Sequence, residues 1–325
     1  MRKSHSTVIP TDAPKPNFFI IGAAKSGTST IWHHLQEHPD VFMSPRKHTR
    51  FFAFGAEESG FRGPPPRNPP KPYAITDSRA YHALFEGATN ETAIGEASWT
   101  YLYRPEASGR IQEYAPNAKI IAILRNPADR AFSHYRQNVQ AGREPIADFA
   151  QALEQGEVRL RENWWPEFHY VHMGLYHAQL ERYFQLFDRA QIKVYLYEDL
   201  AWDPYGLLRD AFGFLGVDGA FTPGKIIRSN PTGAPKVKSL HLVLRRLESV
   251  RPFVERFVSD RRFQPFLRLG RTLNNRNTSR LKLSSAENRR LIDRYFREDI
   301  LALQDLIQRD LSAWLGRDSS PGDTR

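Results

Sequence analysis

The chain has 325 residues, 40% of them apolar, with a formal net charge of +10 and no cysteine. Disulfide bridges, thiolate metal sites and a thiol nucleophile are therefore excluded, and the apolar content suffices for one large core or two modest ones, a size at which α/β enzymes commonly stay one domain. The positive balance favours anionic partners, without separating nucleic acid from a membrane surface, an anionic cofactor or a polyanionic substrate.

Residues 1–16 carry Arg2 and Lys3, then Ser, Thr, Asp and Pro with no apolar run. The expectation is a disordered arm without a secretion signal. Phe18 to Ala24 is too short to cross a bilayer, and a cytoplasmic location is the default expectation. Asn17 to Ile21 reads as a parallel strand buried on both faces. A loop through Gly22, Lys25, Ser26 and Gly27 follows, then a helix expected from Thr28 to His38, with Ile31, Trp32 and Leu35 on one face and His38-Pro39-Asp40 as its stop. His33 and His34 read as solvated or half-buried helix residues. Such a strand-to-helix junction is an anion trap, because the first helical amides lack partners, the helix dipole favours negative charge and the glycines let the backbone curl close. Lys25 adds a full charge; Ser26, Thr28 and Ser29 add hydroxyl donors. A nucleotide-triphosphatase loop places its lysine after the second glycine, with a magnesium-binding hydroxyl behind it. Here Lys25 precedes Gly27, so that hydroxyl is out of register.

The order apolar strand, Gly-x-x-Lys-Ser-Gly-Thr-Ser, helix resembles the 5′-phosphosulfate loop of the sulfotransferases that use 3′-phosphoadenosine 5′-phosphosulfate (PAPS). A second stretch, Ala118 to Pro127 with Ala128 to Tyr135 behind it, is similar to the same family's 3′-phosphate signature. There a buried apolar strand ends in Arg125, Pro127 sits near a helix start where its missing amide hydrogen does no harm, and Ser133 falls about two helical turns on. A nucleotide hydrolase would end this strand with an aspartate for magnesium, whereas the planar fork of arginine suits a second phosphate. The resemblance implies that Lys25, Ser26, Gly27, Thr28 and Ser29 hold the 5′ end of PAPS, and that Arg125 and Ser133 hold its 3′-phosphate. Arg130 is expected on the helix surface or in an ion pair.

After an extended Val41-Phe42-Met43, the family carries Lys-Glu-x-His-Phe-Phe, whose glutamate is the general base of the heparan-modifying members. This chain has Lys47, then His48 at the glutamate and Arg50 at the histidine. An imidazole near its ordinary pKa is a competent base, as in the cytosolic small-molecule sulfotransferases; alternatively His48 and Arg50 line a basic cleft. The run Gly95 to Leu102 matches the family at Glu96, Ser98, Tyr101 and Leu102, while Trp99 replaces a proline and Ala97 stands where some members carry a catalytic lysine. Glu96 is a second candidate base or a structural carboxylate. Residues 53–75 form a Pro-rich surface loop, a lid, an acceptor rim or a mere insertion. Trp164 to Tyr170 is a candidate acceptor platform, with core packing as the alternative for each ring.

Further on, the spacing predicts a helix over Gly174 to Phe187, a parallel strand over Gln191 to Tyr197, a helix over Pro204 to Leu215 and a last amphipathic helix over Ser285 to Trp314, before a tail at 316–325. Leu240 to Leu269 reads as a basic helix, solvated or docked on an anionic acceptor or a membrane surface. The reading is α/β: a P-loop-like three-layer fold with a central parallel sheet flanked by helices, covering 17–315 and binding its cofactor beyond the strand C-termini. The implied reaction is metal-independent, in-line sulfuryl transfer from PAPS to a hydroxyl or amine of a small-molecule, carbohydrate or lipid acceptor, with Lys25 and His48 catalytic and no nucleic-acid partner. The rivals are a P-loop kinase that needs magnesium, and an inactive relative that binds polyanions or membranes.

Overall fold

Phe18–Gly22 (β1) is buried along its whole length, as its unbroken apolar run dictates for a strand covered on both faces. The computed structural model describes residues 14–54, 60–64, 73–226, 234–235, 278–279 and 283–316. Of the sequence expectations, most of the N-terminal arm, much of the Pro-rich loop, the basic helix after Leu240 and the tail beyond 316 lie outside the described residues. The chain divides into two units, Met1–Ile227 with Ser284–Arg325, and Arg228–Leu283.

In the first unit β1 is followed by α1 (Thr28–Leu35), β2 (Val41–Met43), α2 (Ser78–His82), β3 (Ala93–Ala97), α3 (Thr100–Tyr103), α4 (Pro105–Tyr114) and β4 (Lys119–Leu124). Then come α5 (Pro127–Gln140), α6 (Phe149–Glu154), α7 (Gly156–Arg161), α8 (Tyr176–Leu186), β5 (Ile192–Leu196), α9 (Tyr197–Trp202) and α10 (Pro204–Leu215). After the second unit, α11 (Ser285–Leu291) joins α12 (Arg297–Ile307) through a π-helical turn at Ile292–Phe296. The second unit contributes a short antiparallel ladder, β6 (Ala234–Pro235) with β7 (Thr278–Ser279). No described helix is long and apolar enough to cross a membrane.

The five strands of the first unit are all parallel, in the order β2-β3-β1-β4-β5. Alternate residues of β1 serve opposite layers. Phe18 and Ile20 join Ile31 and Leu35 of α1 and Leu208 and Phe212 of α10. Phe19 meets Phe52 edge-on at 5.6 Å and Tyr101 at 6.5 Å on the other side, and the Tyr183 hydroxyl of α8 donates to the Tyr101 carbonyl at 2.9 Å. Each fully buried ring of this kind contributes about 1.5–3 kcal/mol of transfer free energy. Phe18 lies opposite Gly95 in the ladder, and a Cβ at residue 95 would stand 2.2 Å from the Phe18 ring. That glycine makes room for the ring.

The chain leaves β1 for β2 at one edge, returns to β3, and then crosses β1 to place β4 on its other side. The connections therefore diverge between β1 and β4, the switch point at which open parallel sheets bind ligands.

Three local expectations change. Helix α1 ends at Leu35, a turn earlier than the sequence implies. His38 is buried, its Nδ1 accepting from the Asp40 amide and its Nε2 bonded to the Asp218 carbonyl at 3.0 Å, so the ring organises the turn before Pro39. His34 is fully buried against Glu37 instead of solvated or half-buried. The last helix is interrupted at the π-helical turn and ends at Ile307, where Gln308 adopts φ 52°.

Candidate functional site

At the end of β1 the Ala23 amide donates to the Ile123 carbonyl at 2.7 Å, tying the following loop to β4. Lys25 (φ 67°) and Gly27 (φ 97°) are left-handed. Alternation of this kind turns successive amides toward one side and forms an anion-binding concavity. Glycine is required at residue 27 by both its φ and its contact, since a Cβ there would lie 2.6 Å from Leu200. No side chain caps the start of α1, which leaves its first amides for a ligand. The Ser26 hydroxyl is buried without a hydrogen-bond partner. An orphaned buried hydroxyl costs about 1–3 kcal/mol, and a phosphate oxygen in the loop would satisfy it. The loop therefore fits the 5′ end of a phosphorylated nucleotide.

Arg125 follows β4, and its guanidinium donates to the Lys25 carbonyl at 3.3 Å while lying 4.7 Å from the centre of the Tyr197 ring. Its own carbonyl accepts from the Tyr176 hydroxyl at 3.0 Å. Asn126 caps α5 by accepting from the Ala128 and Asp129 amides, and Ser133 is buried on the same helix. The two motifs thus meet at the switch point. Arg130, expected at the surface or in an ion pair, is instead fully buried. It donates to the Tyr170 carbonyl and lies 3.5 Å from His134 Nδ1, because the 310 turns around 166–174 close over this face of α5.

Lys47 reaches the same loop. Its ammonium donates to Ser29 Oγ at 2.7 Å and Thr28 Oγ1 at 3.2 Å. None of Lys25, Lys47, Arg125 and Arg130 forms a salt bridge among the described residues. Burial, then the charges of Arg125 and Arg130, lower Lys25 to about 8; burial, then the charge of Lys25, lowers Lys47 to about 7. Glu198, which accepts from the Trp314 indole, is an acid within electrostatic reach of Arg125; an accumulation of cations that outnumbers its acids suits a polyanion.

His48, half-buried at φ 61°, lies beside Trp99 with ring centres 6.2 Å apart, and its Nδ1 is enclosed without a partner. Burial and the neighbouring Lys47 and Arg50 hold its pKa well below the ordinary value, so the ring is neutral at neutral pH. Arg50 does not line an open cleft: it is buried, donates to the Tyr73 carbonyl at 2.8 Å, stacks 3.7 Å over the Tyr73 ring and sits 3.5 Å from Glu167. Glu96 has no exposed surface; it accepts from the Thr49 hydroxyl and is pushed up to about 7 by burial. Of the proposed platform, Trp165 packs on Phe61 and Tyr73, both at 4.8 Å, and Trp164 on Phe168 at 5.3 Å. Those indoles bind the described parts of the Pro-rich loop to the body of the protein.

Sequence reasoning did not assign roles to Lys47, Tyr176 or Tyr197. A lysine directly before the base position was the available signal for the first; the two tyrosines sit on elements remote in sequence from Arg125 and carry no local mark.

A strand-loop-helix cradle at the switch point of a parallel sheet, with arginine closing the neighbouring strand, defines an α/β protein with a cation-rich site suited to a phosphorylated ligand. The chain belongs to the sulfotransferase family, whose model matches residues 16–223. A sulfotransferase from Alicyclobacillus acidocaldarius, known as a crystal structure, is 34% identical with a TM-score of 0.71, the match covering 93% of this chain and 99% of that one. Membrane-associated sulfotransferase kil1 of Dictyostelium discoideum is 22% identical over 71% of this chain and 64% of its own length. Mouse heparan sulfate glucosamine 3-O-sulfotransferase 3B1 is 27% identical over 69% and 52% respectively. The chain thus spans less than two thirds of these two curated relatives.

Proposed function

We propose that the protein transfers a sulfuryl group from PAPS to an acceptor hydroxyl or amine. The observation that supports this reading is the bond from the Arg125 guanidinium to the Lys25 carbonyl, which brings the residue proposed for the 3′-phosphate against the loop proposed for the 5′ end. PAPS supplies the sulfuryl group. Lys25, Ser26 and the amides of Gly27, Thr28 and Ser29 hold its 5′ end, and Arg125 and Ser133 its 3′-phosphate. Fixed cations and amides stabilise negative charge developing on a leaving phosphate without reorganising. His48, neutral at neutral pH, receives the acceptor's proton at Nε2, since its Nδ1 is enclosed. The α1 N-terminus orients the nucleotide for in-line approach.

The acceptor is a carbohydrate or another hydroxyl-bearing small molecule, in keeping with the names of the relatives. Peripheral membrane contact through the basic segment after Leu240 belongs to the same proposal. Vesicle binding that weakens with salt tests it.

The test of the reaction is transfer of sulfur-labelled PAPS to a panel of carbohydrate, phenol, lipid and peptide acceptors in the presence of a chelator. Transfer to at least one class, insensitive to the chelator, supports the reading. Transfer of phosphate from magnesium ATP to the same acceptors contradicts it.

A further inference from the structure

The Arg125 guanidinium meets the donor loop, while the backbone of the same residue is held from the C-terminal end of the chain. The Tyr176 hydroxyl donates to the Arg125 carbonyl at 3.0 Å from a fully buried ring. Tyr176 is the first residue of α8, and the N-cap of that helix, Leu175, has no side chain that can accept from the amides there. Asp299 of α12, 123 residues further on, does so instead: it accepts from the Tyr176 amide at 2.7 Å and from the His177 amide at 3.1 Å. Tyr176 is thus fixed twice, by Asp299 at its amide and by Arg125 at its hydroxyl. Asn288 of α11 makes a second tie, donating to the side chains of Asn126 at 3.3 Å and Asp129 at 3.1 Å. Phe296, in the π-helical turn between them, leaves no room for a Cβ at Gly174, which would stand 2.8 Å from its ring and 3.1 Å from Pro127. A local cap would have served α8 alone; a carboxylate from α12 also binds the C-terminal segment to the turn that carries Arg125. Asp299 lies beyond residue 223, where the family match ends.

We propose that Asp299 is a positioning residue for the donor site: through Tyr176 it fixes the peptide plane that follows Arg125, and so the direction in which the guanidinium meets the 3′-phosphate. This rests on the reading of Arg125 given above. A planar fork binds two phosphate oxygens only when it is aimed within narrow limits, and ordering completed before the ligand arrives subtracts nothing from its affinity. Asp299 acts on the nucleotide only through Tyr176 and Arg125. The 5′ end is held by the loop after β1 and the start of α1, whose residues Asp299 does not bond; its two partners are the amides of α8. Its removal therefore loosens one end of the nucleotide and leaves the other in place.

The experiment is equilibrium binding of adenosine 3′,5′-bisphosphate and of adenosine 5′-monophosphate to the full chain, to Asp299→Ala, Asp299→Asn and Tyr176→Phe, and to Asp299→Ala combined with Tyr176→Phe. Asp299→Ala is expected to weaken the bisphosphate by about tenfold, the loss of a charge-assisted cap, and to leave the 5′-monophosphate nearly unchanged. Asp299→Asn, whose amide oxygen still accepts from α8, recovers most of the affinity. Tyr176→Phe keeps the ring and weakens the bisphosphate by about twofold to tenfold, the worth of one hydrogen bond. Added to Asp299→Ala it weakens binding little further, because both residues act along one path. A merely structural role would lower the denaturant midpoint without separating the two nucleotides. Equal losses for both nucleotides, additive losses in the double variant, or an unaltered bisphosphate affinity overturn the inference. If Asp299→Ala does not fold, Tyr176→Phe decides by the same comparison: a loss confined to the bisphosphate supports the inference and an equal loss overturns it. Unmodified protein that binds the 5′-monophosphate as tightly as the bisphosphate overturns the reading of Arg125, and the inference with it.

Discussion

The Arg125 guanidinium donates to the carbonyl oxygen of Lys25 at 3.3 Å. Because β1 and β4 are neighbours in the sheet, the residue that ends one strand touches the loop that ends the other. Arg125→Ala should remove a bidentate phosphate contact and weaken adenosine 3′,5′-bisphosphate by about tenfold to a hundredfold. The acceptor KM should stay nearly constant. Direct binding of the bisphosphate alongside steady-state kinetics checks this, and parallel losses for nucleotide and acceptor count against the assignment.

His48 and Glu96 offer a contrast between a half-buried imidazole and an enclosed carboxyl. His48→Ala should lower kcat by about 10²–10⁴-fold with nucleotide affinity retained, while Glu96→Gln should keep most of the turnover. A raised carboxyl pKa means that the folded state holds the proton more tightly than the unfolded chain. Glu96 therefore contributes stability that is present below its unfolded value of 4.5 and lost as pH rises through about 7. Glu96→Gln should accordingly be more stable than the parent above neutral pH, with the difference vanishing in acid. Denaturant melts at several pH values and a pair of rate measurements distinguish the roles; loss of turnover in Glu96→Gln would make it the base.

Lys25 in the loop and Lys47 after β2 titrate in the opposite sense. Their folded pKa values are lowered from 10.5 to about 8 and about 7, so the folded state releases protons that the unfolded chain keeps. Their contribution to stability is present above the unfolded value and is lost as pH falls through 8 and then 7. The empty protein should thus gain thermal stability between neutral and mildly alkaline pH, and bound bisphosphate should flatten that dependence. Scanning calorimetry with and without nucleotide reads both. A pH dependence that bound nucleotide leaves unchanged would place the lysines outside the donor site.

The parallel sheet and both strand-to-helix junctions were legible because they are written in short range: an apolar run, a glycine turn, a lysine or arginine, then a helix signal. The burial of Arg130 was not, because α5 looks amphipathic by itself and the turns that cover it come from 166–174. Arg50 was misread for the same reason, its partners Tyr73 and Glu167 being supplied from distant segments. For Trp164 and Trp165 the packing alternative to an acceptor platform holds, but their partners Phe61, Tyr73 and Phe168 can be identified only after folding.

Gly95 is a purely structural test. A Cβ there would stand 2.2 Å from the Phe18 ring, and overpacking of this kind costs about 1–3 kcal/mol. Gly95→Ala should lower the denaturant midpoint with the m-value unchanged. A midpoint equal to that of the parent would mean that Phe18 has another place to go.

On the proposed reading, one doubly phosphorylated adenosine nucleotide spans the loop of Lys25 and the strand end at Arg125. The most direct test of that reading is equilibrium binding of adenosine 3′,5′-bisphosphate against ADP and ATP, each with magnesium and with chelator. The bisphosphate should be preferred by about a hundredfold, as expected when a fully paired phosphate is lost, and the chelator should not alter that preference. Equal affinity for ADP, or binding that requires magnesium, would contradict it.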